Sequence, residues 1–506
     1  MPDKILATNT SALSTKYGAK GRQAVLEAVK ALIASDKRRG LTTQLVDLSN
    51  AAAMKKFKGK PVTSPKNERQ NKDAVDAICA KAKPDYLALI DAPDVVPHLL
   101  LDNPAAGDGD QRVPSDLPYA SEAPFRTRDP AAFASVTRVV GRIPGVTGAK
   151  DPAFLVKQLK LAADFKRLDR SDYLPHFSIS AAVWEKSTEE SVGNIFGSST
   201  IKLCPPTVSP GVEASLAPLT HFINCHGAEV DPTFYGQSGT QYPKAMTSDD
   251  VAKGAKPNAV IAAECCYGAQ LYDPDLADGK WPISNAYLNA GAAGFFGSTT
   301  IAYGPAEGNG AADLLAQYFL ISALAGASLG RACLQARQKF VLGEKMEDPV
   351  NLKTLAQFIL LADPSLQLCP AEQKGAVADA PLVDGGAARA VRRIALAAAG
   401  KAASDSSGYP GKRLASPPSR LRASVLRIAK ERGFRASAKN LAAFQVVGKG
   451  NYGAAMKERR ATQKVLMLME HDQATTHMPK GLRRTRVFVA HAQDDRLVGV
   501  AEYVRR

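Results

Sequence analysis

At 506 residues, 45% hydrophobic and with no apolar run of about 18, the chain exceeds one ordinary core and excludes a membrane span. Two or three domains are expected. Met1–Asn9 lacks the basic start and apolar run of a signal peptide, and seven scattered cysteines suit reduced thiols, so a cytoplasmic location is the expectation. The net charge of +16 is uneven: residues 371–506 hold 26 of 65 Lys+Arg and 11 of 49 Asp+Glu, a net +15 against +1 for the first 370, so any anionic partner belongs to the C-terminal part.

Lys4–Thr8 predicts a strand, Gly21–Lys37 a helix with Val25, Val29, Leu32 and Ile33 on one face, and Leu41–Leu48 a strand. Asp73–Ala82 reads as a helix and Pro84–Asp91 as a buried strand, a rhythm that argues for a parallel sheet. Gly107–Asp110 lacks the distal Glu of an EF-hand and reads as an ordinary loop. Asp102–Arg128 is a turn-rich segment ending near Val136–Pro144, and a helix is expected over Asp151–Arg167 with Asp151 as N-cap. Phe177–Val183, Leu219–Gly227, Ala259–Gly268 and Gly294–Thr299 are strand-like. Helices are expected over Asn309–Ala325, Ser328–Leu342 and Leu352–Leu361, and a short strand over Leu366–Leu368. Beyond 371, Ala387–Gly400 and Leu421–Arg432 read as helices, Ser404–Ser419 as a linker, Val465–Met469 as a strand, and Arg486–Ala490 with Leu497–Tyr503 as a hairpin.

Two of these strands end in reactive side chains. Leu219–Gly227 ends in His226-Gly227, and Ala259–Gly268 carries Glu264-Cys265-Cys266. Neighbouring parallel strands would set His226 beside Cys266 at one sheet edge, the minimum for a thiol nucleophile with a general base. The amides of Gly227 and Cys266 are the natural oxyanion donors. Adjacent strand residues face opposite ways, so only one of Cys265 and Cys266 can meet His226. Inert core thiols, or a redox pair at Cys265-Cys266, are the alternatives; neither Cys-x-x-Cys nor a zinc spacing is present, and neither metal nor cofactor is expected. His221 reads as a packed histidine.

The ordered set resembles the caspase–hemoglobinase clan (clan CD) of cysteine peptidases, and within it the gingipain family. The resemblance runs through Pro84–Ile90 with Val96-Pro97, Ser115–Ala120, Val140–Pro144, the His226 and Cys266 strands, Asn289–Thr299 and Leu361–Leu366, and covers roughly residues 1 to 370. It implies a caspase-like three-layer α/β/α fold with mostly parallel sheets in two subdomains: a companion over 1–170 and a catalytic unit over 171–370. Residues 371–506 would form a smaller basic α+β domain with a linker near 404–419. It implies a cysteine endopeptidase acting on peptide or protein, with Cys266 rather than Cys265 as nucleophile. The acid matching Glu264 helps form the pocket for the residue before the scissile bond, which favours Arg or Lys, with Asn as an alternative; Glu264 as a strand-end acid paired with an internal base is the structural alternative, and Glu229 and Asp231 are alternative wall residues. The basic tail departs from the family. It would bind nucleic acid or another anionic surface, dock a protein partner, or only solvate a face. Cleavage at Lys412-Arg413 is a possible activation step. The rival from another class is a catalytically silent scaffold with the basic domain as its reader.

Overall fold

Short apolar strands alternating with helices build one large sheet, because strands buried on both faces need helical cover on each side. The computed structural model describes residues 1–305, 307–371, 386–448, 460, 462–472 and 478–506. In chain order the strands of the large sheet, together with the short β10 that pairs elsewhere, are β1 (Lys4–Thr8), β2 (Thr43–Asp47), β3 (Tyr86–Ile90), β4 (Val140–Ile143), β5 (His176–Ala181), β6 (Lys202–Cys204), β7 (Thr220–Asn224), β8 (Val260–Ala263), β9 (Gly294–Ser298), β10 (Tyr303–Pro305) and β11 (Phe358–Leu361). Ten of them, all but β10, form one sheet in the order β2-β1-β3-β4-β11-β9-β8-β7-β5-β6. The mixed α/β architecture with a mostly parallel sheet is therefore as expected.

A single sheet runs through both expected subdomains. Neighbours are parallel except β9 and β11, which pair antiparallel from Phe295↔Leu361 to Ser298↔Phe358. β11 in turn runs parallel to β4 at Leu361↔Arg142. The strands on the two sides of this seam thus run in opposite directions, and the carboxyl ends of the two halves lie at opposite sheet edges.

The seam corrects the expectation of a helix over Leu352–Leu361. The helix is Pro349–Gln357, and the chain then turns into β11. Phe358-Ile359-Leu360-Leu361 has no polar residue to set a period, so buried helix and buried strand read alike; the slot between β4 and β9 decides. The strand expected at Leu366–Leu368 is only an isolated bridge, Ser328↔Gln367.

The C-terminal part is α+β. β12 (Gly408–Arg413), β13 (Leu441–Gly448), β14 (Gln463–His471), β15 (Thr485–Gln493) and β16 (Arg496–Arg505) form an antiparallel sheet in the order β10-β16-β15-β14-β13-β12. Helix Ser419–Glu431 lays Leu421, Val425 and Ala429 on Leu466, Leu468 and Phe488. β15 and β16 are the expected hairpin, turning through Asp494 and Asp495, both at positive φ (51° and 59°), as a two-residue hairpin turn demands. The expected linker is instead a helix end followed by β12. Tyr409 is buried there and donates to the Ser404 carbonyl at 2.9 Å, while Pro410 is tolerated on an edge strand. The boundary expected at 371 adjoins residues 372–385, which lie outside the described residues.

Candidate active site

The register of β7 and β8 decides what meets at their ends. Ala263 pairs with Ile223, so the same register carried past the strands sets Cys266 level with His226. The two main chains touch there: a Cβ on Gly227 would stand 1.9 Å from the Cys266 carbonyl oxygen. Any side chain at 227 would force the turns apart, so glycine is required by the protein's own backbone rather than by a ligand alone. After Cys266 the chain turns through Tyr267, at φ 56°, and Tyr267 N–H donates to the Thr300 carbonyl at 2.9 Å.

His226 is 3% exposed. Its Nε2 lies 2.7 Å from Gln237 Oε1, a carbonyl that can only accept, so Nε2 carries the proton. Nδ1 is then the unprotonated nitrogen, buried without a partner. Burial, with Arg505, Arg506 and Arg484 nearby, lowers the imidazole to about 3 despite the Gln237 bond. Cys266 is wholly buried; burial pushes its thiol up, and Arg505 pulls it back. Ala302 N–H donates to Cys266 Sγ at 3.2 Å, and the thiol contacts the main-chain oxygen of Arg506.

Arg506 fills a pocket built from the ends of four adjacent strands. Trp184 and Ser187 follow β5, the His226 turn follows β7, Glu264 follows β8, and Gly304 and Asp313 come after β9. The Arg506 guanidinium bonds both Asp313 oxygens (2.8 and 2.9 Å) and Ser187 Oγ (3.1 Å). It lies over the Trp184 ring at 4.7 Å, and that ring stands 4.3 Å from His226. A Cβ on Gly304 would sit 2.0 Å from the guanidinium, so the bare backbone forms one wall. Glu264 is 0% exposed and faces Asp313. Neither Glu264 oxygen has a donor, so the two acids can bond only through a shared proton. Burial, then Asp313, holds Glu264 well above the ordinary 4.5, and Arg506 partly offsets this.

The remaining residues singled out by sequence lie elsewhere. Glu229 is exposed, and Asp231 accepts from Tyr235 Oη at 2.9 Å. Cys265 is buried, its thiol against the Ile223 carbonyl, and all seven cysteines are free thiols. His221 is packed, bonded to Tyr287 Oη and the Pro218 carbonyl. Asp108 and Asp110 form ion pairs with Lys353 and also hold Tyr303, Tyr267 and Ile301, so the loop braces the site from behind. Lys412 and Arg413 are exposed but lie in β12, not in a linker. Among the described residues, no helix is long and apolar enough to cross a membrane. Sequence reasoning missed Trp184, Ser187, Asp313 and Arg506. Nothing local marks them, since only the topology brings these distant segments together.

The sequence pattern of peptidase family C25 matches residues 217–369. No curated protein matches the chain. Among solved structures it is similar to one titled a protease (10% identity, 99% of this chain and 96% of that one, TM-score 0.47). It is also similar to the Arg-specific cysteine proteinase gingipain R (11% identity, 99% and 97% covered, TM-score 0.49). Residues 217–369, which hold His226, Glu264, Cys266 and Asp313, are a cysteine peptidase segment of family C25, the gingipain family of clan CD.

Proposed function

We propose that the chain hydrolyses peptide bonds after a basic residue, Arg before Lys, with Cys266 as nucleophile and His226 as base. The observation that carries this reading is the buried acid pocket of Asp313 and Glu264, walled by Trp184 and opening beside the Cys266 thiol. In the proposed cycle His226 Nδ1 takes the thiol proton and the thiolate sulfur attacks the carbonyl carbon. The amides of Gly227 and Cys266 hold the oxyanion. His226 then protonates the leaving amine, and water releases the acid from the thioester. Gln237 is the positioning residue that holds the ring in the tautomer the step needs. A planar guanidinium can stack on the Trp184 face while one of its nitrogens, Nη2, reaches both Asp313 oxygens, and the stacking favours it over an ammonium. Glu229 and Asp231 remain alternative wall residues in this reading only if the loop that bears them moves.

Hydrolysis of matched peptides ending in Arg, Lys, Asn, Asp or Leu tests this reading. The expected order is Arg, then Lys, with the others near background. Cys266→Ala is expected to remove the activity by on the order of 10⁴-fold or more, and His226→Ala by roughly 10²–10⁴-fold. Cleavage after Asp or Leu alone, or activity surviving Cys266→Ala, would refute it. Full burial of Cys266 also suits the silent scaffold, and absence of hydrolysis of every peptide would favour that reading.

A further inference from the structure

We infer that the end of β16 is an intramolecular substrate mimic: residues 503–506 lie in the cleft as a bound peptide would, and the folded chain holds its own site closed. This rests on the peptidase reading above and adds a regulator to that site. Three features of the same segment agree. Its main chain pairs antiparallel with the edge of β10 through Tyr303↔Arg505, Gly304↔Val504 and Pro305↔Tyr503, and Arg506 N–H donates to the Ala302 carbonyl at 3.0 Å. Adding a strand to a free edge is a general way for folded proteins to hold an extended peptide. Its Arg506 side chain is 0% exposed in the acid pocket, bonded to Asp313. Its Arg506 main-chain oxygen accepts from the Cys266 thiol, so the last peptide unit of the segment lies against the sulfur.

Arg505 adds a second anchor. Its guanidinium reaches the carbonyls of Gly227 (3.4 Å) and Gly481 (3.2 Å), so it lies along the His226-Gly227 turn. Tyr503 Oη donates to Asp348 at 2.8 Å. The occupant therefore describes the peptides the cleft accepts: extended, with Arg before the scissile bond and a second Arg preceding it. A tethered segment stands at an effective concentration on the order of millimolar. A free peptide must displace it before reaching the thiol.

The test uses the full chain, native and with Arg506→Ala or Arg505→Ala/Arg506→Ala. Two rates are followed: alkylation of Cys266 by iodoacetamide, resolved by peptide mass spectrometry, and hydrolysis of a Tyr-Val-Arg-Arg-aminomethylcoumarin peptide. Alkylation is expected to rise at least tenfold in the variants. Added Glu-Tyr-Val-Arg-Arg peptide is expected to restore protection, and hydrolysis to rise in parallel. Unchanged alkylation in a folded double variant, or no protection by the peptide, overturns the inference. Faster alkylation and peptide protection without hydrolysis would uphold closure by the tail and refute the peptidase reading. Should the double variant not fold, Arg506→Lys keeps the charge while losing the guanidinium stacked on Trp184, and intermediate alkylation is expected; native-like protection would overturn the inference.

Discussion

Asp91 and Glu264 hold equivalent places in the two halves of the large sheet. Each is the first residue after a buried parallel strand, β3 or β8, and each is wholly buried. Asp91 meets Lys16 Nζ at 2.9 Å, a partner from the helix Thr10–Arg38 of its own half. Nearby, Asp116 is paired with Arg142 and His98. Glu264 instead faces a second acid, Asp313, and the cation they meet is Arg506, from the far end of the chain. A buried charge neutralised by its own half belongs to the fold. One completed by a remote segment depends on that segment staying in place.

The sharpest way to break this contrast is to remove one cation from each side. Arg142→Met leaves Asp116 buried without its guanidinium partner and also strips donors from the Asp91 and Val96 carbonyls. A loss of about 3–5 kcal/mol is expected in urea unfolding. Arg506→Met should cost less than half as much, because Glu264 and Asp313 can keep a proton between them. Equal losses would erase the distinction.

A smaller effect is expected from the pocket acid itself. In an Arg506→Ala background, Asp313→Asn should lower kcat/KM for Arg peptides by roughly thirtyfold, about 2 kcal/mol for a bond to a charged group. Lys peptides should lose less, and overall stability should hardly change. A uniform loss across all peptides would mean that Asp313 supports the fold and not the choice of substrate.

The smallest effects lie in the pH dependence of stability, where Asp116 and Glu264 should slope in opposite senses. Burial alone would raise Asp116, but Arg142 and His98 hold it well below its ordinary 3.8. Its contribution is present above that value and is lost as pH falls through the folded-state pKa. Glu264 is held above 4.5, so the folded form keeps a proton that the unfolded chain has released. Its contribution is complete below 4.5 and declines as pH rises, by at most about 1.4 kcal/mol per pH unit. Urea unfolding between about pH 3 and pH 8 should show Asp116→Asn flattening the acid side and Glu264→Gln the alkaline side. Arg506→Ala should steepen the alkaline decline, since the offsetting guanidinium is gone. Identical profiles in all variants would contradict the comparison.

Much of this arrangement was legible in the sequence, for physical reasons particular to each element. Strands β1, β3, β7, β8 and β9 are short apolar runs bounded by turn residues, and the ends of β7 and β8 place His226 and Cys266 without reference to anything distant. Glu264 could be placed toward a pocket because its side follows from the two-residue period. Asp313 could not, since a lone acid in the first turn of helix Ala312–Leu324 resembles any solvated helix acid. Arg505 and Arg506 were hidden by the tail's net charge, which suggested a solvated or anion-binding face, whereas the two guanidiniums are buried. β11 escaped because its four apolar residues carry no period, and β12 because Gly, Ser and Pro also suit an edge strand whose Tyr409 is buried.

β10 is cut from the same stretch as the peptidase core, yet among the described residues its strand partner is β16 of the C-terminal sheet. If that tail closes the site as proposed, turnover would be an exchange of strands, with an incoming chain unzipping the tail from Tyr303–Pro305 before lying down in its place. The pace of the first cleavage would then follow how readily that short ladder frays, with bond breaking a later and faster event.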